Sequence, residues 1–271
     1  MLPEQARSCT GKISLEQDFD TPTGIRQIVN LLLTEKVCTK LSRLLSWDCE
    51  KSSMSNLRKM PLSIFLKCVY MPLVSNFKIL DIPVKRIIEN YIGTVLHEAI
   101  IGQALDKILN VTREVRPIPY RGYTLLLKPD LVTPMHVIDF KFRSVIKLED
   151  VLQVGTYSLV FEKRGLIVLI SNRKFTTVQI SEEYGKVVRE LFFEWVDNVT
   201  QGRDYINIKL LACRDCMFEK VCKYRKNVKQ GYIIPRSVLK LLLEDSEVLK
   251  HLSKRELKIV RRIVKTMGAT A

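Results

Sequence analysis

Residues 123–143 read YTLLLKPDLVTPMHVIDFKFR. Two runs of apolar and β-branched residues, 123–132 and 136–143, flank Thr133-Pro134-Met135. Such runs about a short turn predict a hairpin. With the turn centred between Pro134 and Met135, Asp130 falls opposite Asp139, and facing Cβ atoms in an antiparallel pair lie ~4.5–5.5 Å apart. Lys141, two residues past Asp139, points to the same face. Two carboxylates and an ammonium are therefore expected on one patch. Buried side by side, two carboxylates repel, and one tends to protonate unless a cation joins them. A hard ion such as Mg²⁺ or Mn²⁺ suits these oxygen ligands. Taken alone, Asp…Asp-x-Lys also reads as a salt-bridged hairpin, Asp139 to Lys141 or Lys128, with no catalysis.

Outward from the hairpin, the period places a first strand at 113–118. A helix follows at 147–163, then strands at 166–171 and 175–181, and a helix at 182–200 that stops at Gly202. Residues 61–110 read as helical, with Pro83 opening a long helix that carries His97. The order helix, three strands, helix, strands, helix predicts an α/β core with its sheet sandwiched by helices. Gln153 and Tyr157, four apart on the central helix, share a face; both can hydrogen-bond a substrate backbone or hold Lys141. His97 reads either as a ligand or as a packed core histidine.

Residues 1–20 carry no periodicity, a helix is expected from Asp20 or Thr21 to about Leu44, and 48–60 reads as a linker. Ser253-Lys254-Arg255-Glu256 is a capping-box pattern; it opens a helix ended by Gly268. With 236–244 this makes a helical pair, either a DNA-binding unit of helix-turn-helix kind or plain packing helices. The expected division is an N-terminal helical extension at 1–55, a core at 56–232 and a basic helical tail at 233–271.

The chain has 271 residues, 46% of them hydrophobic, enough for one sizeable core. Its formal charge is +15, and from Ile206 onward 16 Lys+Arg face 6 Asp+Glu. Such an excess points to a polyanionic partner, because neutralised phosphates release counterions; a solvated basic surface or an anionic membrane would fit the charge as well. No apolar run approaches the ~18 residues of a membrane span, and the polar first 19 residues lack the apolar stretch of a signal peptide. A cytoplasmic protein is expected.

Seven cysteines, an odd number, argue against a disulfide framework. Cys213-x-x-Cys216 and Cys222 supply three thiolates within ten residues, and three soft ligands want a fourth. Cys68 is the candidate, with Cys38 and Cys49 as alternatives. Spacing suits a four-cysteine zinc site as well as an iron–sulfur cluster. A ligand set drawn from both sides of the core would staple its ends together.

These motifs, in order, resemble the RecB-like branch of the PD-(D/E)xK nucleases: Gly93…His97, then Pro129-Asp130, then Asp139-Phe140-Lys141, then Gln153-x-x-x-Tyr157. The likeness spans about residues 60–225. With one cysteine before the core and three after it, the chain is similar to the CRISPR-associated RecB-like exonucleases, and also to nuclease domains of some repair helicase–nucleases and viral relatives. The resemblance implies a restriction-endonuclease-like core, a central mixed sheet flanked by helices, with helical extensions at both ends. It implies Mg²⁺ or Mn²⁺ held by Asp130, Asp139, the backbone carbonyl of Phe140 and His97, with Lys141 as catalytic lysine and Gln153 and Tyr157 as the following motif. It implies a [4Fe–4S] cluster on Cys68, Cys213, Cys216 and Cys222. Glu114, on the first strand, stands where the wider superfamily often has an acid. Two positions depart from the pattern: Lys128 where many relatives have glycine, and Val69 where many have proline.

The expected activity is cleavage of DNA, preferably single-stranded or with single-stranded ends, as an exonuclease or endonuclease. The resemblance implies processing of spacer precursors, with the CRISPR integrase and its small companion subunit as partners. The alternatives are a non-catalytic DNA-binding or assembly subunit, and a nuclease of the same fold in recombination or phage replication.

Overall fold

The structure, a computed structural model, describes residues 58–67, 98–99, 101–102, 110–171, 174–202 and 234–268. The predicted N-terminal extension, His97 and all seven cysteines lie outside these residues. The described elements run β1 (Lys59–Pro61), α1 (Leu62–Lys67), β2 (Arg116–Tyr120), β3 (Tyr123–Leu127), β4 (Leu131–Val132) and β5 (His136–Lys141). They continue with α2 (Leu148–Phe161), β6 (Arg164–Ser171), β7 (Lys174–Ile180), α3 (Glu183–Thr200), α4 (Arg236–Glu244), α5 (Ser246–His251) and α6 (Lys254–Gly268).

The fold is α/β, with mixed sheets flanked by helices. A four-stranded sheet has the order β4-β5-β6-β7, and a three-stranded sheet the order β1-β3-β2. In the larger sheet β5 and β6 are parallel and both outer pairings are antiparallel. Parallel neighbours need a crossover, and α2 supplies it between β5 and β6.

The hairpin forms in the expected register: Leu131 pairs with Ile138 and Val132 with Val137. The pairing stops at Leu131. Asp130, one residue before β4, donates its N–H to the carbonyl of Ile138, the partner of Leu131, at 3.1 Å, and so enters the strand beside β5 just off the ladder. The turn is pinned twice. The His136 N–H donates to Thr133 Oγ1 at 2.8 Å. Lys163 Nζ donates to the carbonyls of Thr133 and Pro134, each at 2.7 Å. Slippage by one residue would turn every side chain to the wrong face, so these bonds protect the site as well as the turn.

β5 is buried on both faces, as a central strand must be. Ile138 and Phe140 join Ile101, Val111, Leu131, Leu166 and Val168 in a cluster on one side of the sheet. Val137 faces the other side, the main core, with Ile167, Leu169, Val151 and Leu152. By alternation Asp139 and Lys141 face that second side, toward α2.

The sequence places one strand at 123–132, but two are observed, separated at 128–130. Pro129 has no N–H to donate to a ladder, and the Lys128 carbonyl is taken by a side chain of α2 (below). The first strand begins at Arg116, later than expected, so Glu114 precedes it.

α2 and α3 cross closely at two glycines. A Cβ on Gly155 would lie 2.7 Å from Tyr184 Cβ, and one on Gly185 would strike the Gly155 carbonyl. α3 stops as expected, with Gly202 at φ +67. Trp195, Phe192 and Phe65 are fully buried. Their rings meet edge-on at 5.7 Å (Phe65–Phe192) and 6.0 Å (Phe65–Trp195). Burial of each such side chain stabilises by roughly 1.5–3 kcal/mol.

The C-terminal helices share this core through Val238, Leu239, Leu242, Val248, Leu252 and Val260. The short α5 was not anticipated; Asp245 caps it, accepting the Val248 N–H at 3.0 Å. The expected capping box at Ser253 is half realised. The Glu256 N–H donates to Ser253 Oγ at 3.3 Å, while the Glu256 carboxylate accepts the Ser253 hydroxyl at 2.6 Å and the N–H of the distant Leu148 at 2.8 Å. Among the described residues no helix is long and apolar enough to cross a membrane.

Candidate active site

Asp130, Asp139 and Lys141 converge on the α2 side of the hairpin. Asp139 is 2% exposed and Asp130 7%. Asp130 Oδ2 accepts the Phe140 N–H at 2.7 Å, which draws its carboxylate back across the hairpin toward β5. Lys141 Nζ lies 2.6 Å from Asp139 Oδ2 and 3.6 Å from Asp150 Oδ1.

The electrostatics follow from burial. Loss of solvent pushes the Asp139 carboxyl up to about 6; Lys141 opposes the rise, and the nearby charge of Asp130 adds to it. Burial by itself would lower the Lys141 ammonium, but the charges of Asp139 and Asp150 outweigh it and hold the group above its ordinary range. Lys141 is thus a fixed cation.

Two residues absent from the sequence reading complete the patch. Asp150, 2% exposed, accepts the Lys147 N–H at 2.7 Å at the start of α2 and also pairs with Arg143. It joins the helix cap, Lys141 and Arg143 in one network. Its spacing to Gln153 and Tyr157 puts all three on one stripe of α2. An acid at the third helical position is a known capping signal, and that stripe was the available clue. Arg113 is the second. Its guanidinium makes two bonds of 2.7 Å to Glu98, and these hold it above its ordinary range, with Asp130 also contributing. Glu98 adjoins His97 in the chain.

Gln153 and Tyr157 do not hold Lys141. Gln153 Nε2 donates to the Tyr157 hydroxyl at 2.6 Å, and that hydroxyl donates to the Lys128 carbonyl at 3.0 Å. Burial raises the Tyr157 hydroxyl well above its usual range. It therefore stays protonated and acts as a fixed donor. It ties α2 to the bend that presents Asp130. Glu114 is directed elsewhere: it accepts from Thr112 Oγ1 at 2.9 Å and from Arg116 at 3.3 Å.

Among the described residues, no three His, Cys, Asp or Glu side chains gather into a metal-binding group. Two carboxylates do gather, and burial, with a smaller contribution from the charge of Asp130, raises Asp139; a divalent cation is the partner that relieves this. Asp130, Asp139 and the Phe140 carbonyl fit such an ion by chemistry. His97 and the four cysteines assigned to a cluster lie outside the described residues.

No protein-family model matches the chain, and no curated protein matches it. A solved structure described as the "Crystal structure of SSO0001" is similar to it at 17% identity and a TM-score of 0.45, covering 73% of this chain and 97% of its own.

Proposed function

We propose that the chain is a divalent-metal-dependent DNA nuclease with a restriction-endonuclease-like, PD-(D/E)xK core. The observation that supports this is the pinned hairpin. It carries Asp130 at the entry to β4, near enough to Asp139 on β5 for their charges to act on each other, and brings the half-buried Lys141 ammonium to 2.6 Å from Asp139.

In this reading Asp130, Asp139, the Phe140 carbonyl and His97 hold Mg²⁺ or Mn²⁺. When bound, that ion would polarise a phosphoryl oxygen and lower the pKa of a water. The remaining work belongs to the chain. Lys141, kept charged by Asp139 and Asp150, orients the attacking water and stabilises charge on the phosphorus oxygens. Asp150, itself paired with Arg143, lies 3.6 Å from the Lys141 ammonium and helps hold it beside Asp139. Tyr157 fixes the bend at Lys128, and so the position of Asp130.

The same proposal takes DNA, single-stranded or with single-stranded ends, as substrate, and processing of spacer precursors in CRISPR adaptation as the role. A [4Fe–4S] cluster on Cys68, Cys213, Cys216 and Cys222, a cytoplasmic location, and the CRISPR integrase with its small companion subunit belong to it too. The motif resemblance and the charge of +15 support these.

A second reading draws on the same 2.6 Å ion pair. A DNA-holding subunit would use Asp139 and Lys141 as a structural pair. Cleavage assays with Mg²⁺ and Mn²⁺ separate the two. Under the nuclease reading Asp139→Ala and Lys141→Ala lose cleavage and keep the parent circular dichroism. Parent-like cleavage by both variants ends it, and DNA binding without cleavage in any divalent ion selects the second reading.

A further inference from the structure

α6 turns an unusual face outward. Lys254, Arg255, Lys258, Arg261, Arg262 and Lys265 are all exposed. The single acid in this stretch, Glu256, is 8% exposed and turned inward onto Ser253 and Leu148. Lys254, Lys258, Arg261 and Lys265 recur at i, i+4, i+7 and i+11, a spacing that keeps them on one side of a helix. They span about 16 Å of helix axis. A surface helix normally mixes signs through i,i+4 pairs; this face carries one sign.

The helix is also bonded to the segment that leads out of the candidate site. The Ile146 N–H donates to the His251 carbonyl at 2.9 Å, and the Ser253 N–H to the Ile146 carbonyl at 3.0 Å. Glu256 takes the Leu148 N–H at the start of α2. The stripe thus begins where β5 passes into α2, the stretch that carries Arg143 and Asp150.

We infer that the Lys254–Lys258–Arg261–Lys265 face of α6 is a binding strip for the phosphate backbone of DNA, holding the strand whose neighbouring phosphate enters the site. This deepens the proposed nuclease reading and rests on it for the strand's direction, but the binding itself is independent of cleavage. A linear row of cations on a rigid element recognises a regularly charged polymer through counterion release. A groove of about 620 Å³ beside it, lined by Leu249, Leu257 and Val260 and edged by Lys250, Arg261 and Lys265, shares two of these cations.

The test replaces all four residues by glutamine, which keeps helix propensity and removes charge. Affinity for a fluorescent single-stranded oligodeoxynucleotide is measured by anisotropy in chelator, across a salt series, with thermal melting as the check on folding. The strip predicts at least about a tenfold loss of affinity at 0.1 M salt and a salt slope reduced by about 3. Two double variants, K254Q/K258Q and R261Q/K265Q, each give about half the slope change and serve if the quadruple variant melts early. Parent-like affinity and slope overturn the inference, and leave the face and its groove to an acidic protein segment. Lost binding in the quadruple variant, together with parent-like cleavage by D139A and K141A, upholds the strip while the nuclease reading falls.

Discussion

At the residue scale, the account rests on a buried carboxyl held near neutrality. Asp139 titrates at about 6 in the metal-free fold against 3.8 in the unfolded chain. An acid whose folded value is raised contributes stability that is fully present below about pH 4 and is lost as the pH climbs from there through 6. A divalent ion binds the ionised form and offsets that loss. Thermal melting with Mn²⁺ against chelator is therefore expected to show a stabilisation that is large at pH 7.5 and fades below pH 6. An equal gain at pH 5 and pH 7.5 would contradict the assignment. Tyr157 offers a second check. Tyr157→Phe removes the donor to the Lys128 carbonyl and strands Gln153, which costs about 1–3 kcal/mol. Cleavage is expected to fall with it, since the bend before Asp130 loses its tie. A variant that melts and cuts like the parent would show the bond to be idle.

At the element scale, α2 is held on three sides. β5 and β6 lie beneath it, α3 crosses it at Gly155 and Gly185, and Glu256 of α6 caps its first turn. The crossing leaves no room for a methyl group, because a Cβ on Gly185 would strike backbone rather than a side chain that can swing away. Gly185→Ala is expected to destabilise by roughly 1–3 kcal/mol or more, measured by denaturant unfolding. An unchanged midpoint would mean that the helices do not approach as described. Much at this scale was legible in the sequence. The hairpin register followed from Pro134 and the alternation on each side, and α2 and α3 from their period and the stop at Gly202. The interruption at 128–130 was not legible, because it depends on a tyrosine 29 residues further on. α5 was missed for a different reason: at six residues it is too short for a period to declare itself. The Glu256 cap on Leu148 joins positions 108 residues apart, and one sequence does not reveal such a pairing.

At the scale of the whole molecule, polar chemistry and charge are separated. The carboxylates are buried between the sheet and α2 with the half-buried Lys141 beside them, while α6 carries cations to the surface from a base bonded to the same segment. Asp130, Asp139 and Lys141 were legible as a patch because strand alternation and hairpin pairing are local rules. Asp150 showed only as a first-turn acid on the Gln153–Tyr157 stripe, and its contacts with Lys141 and Arg143 arise only once α2 folds back over β5. The central claim is that two acids on neighbouring strands share one divalent ion. Direct titration of Mn²⁺ by calorimetry tests it, comparing the parent with Asp130→Ala and Asp139→Ala. The account predicts that the parent binds an ion whose affinity each single substitution lowers by at least an order of magnitude, with the double variant no worse than either. Parent-like Mn²⁺ affinity in either single variant would contradict it.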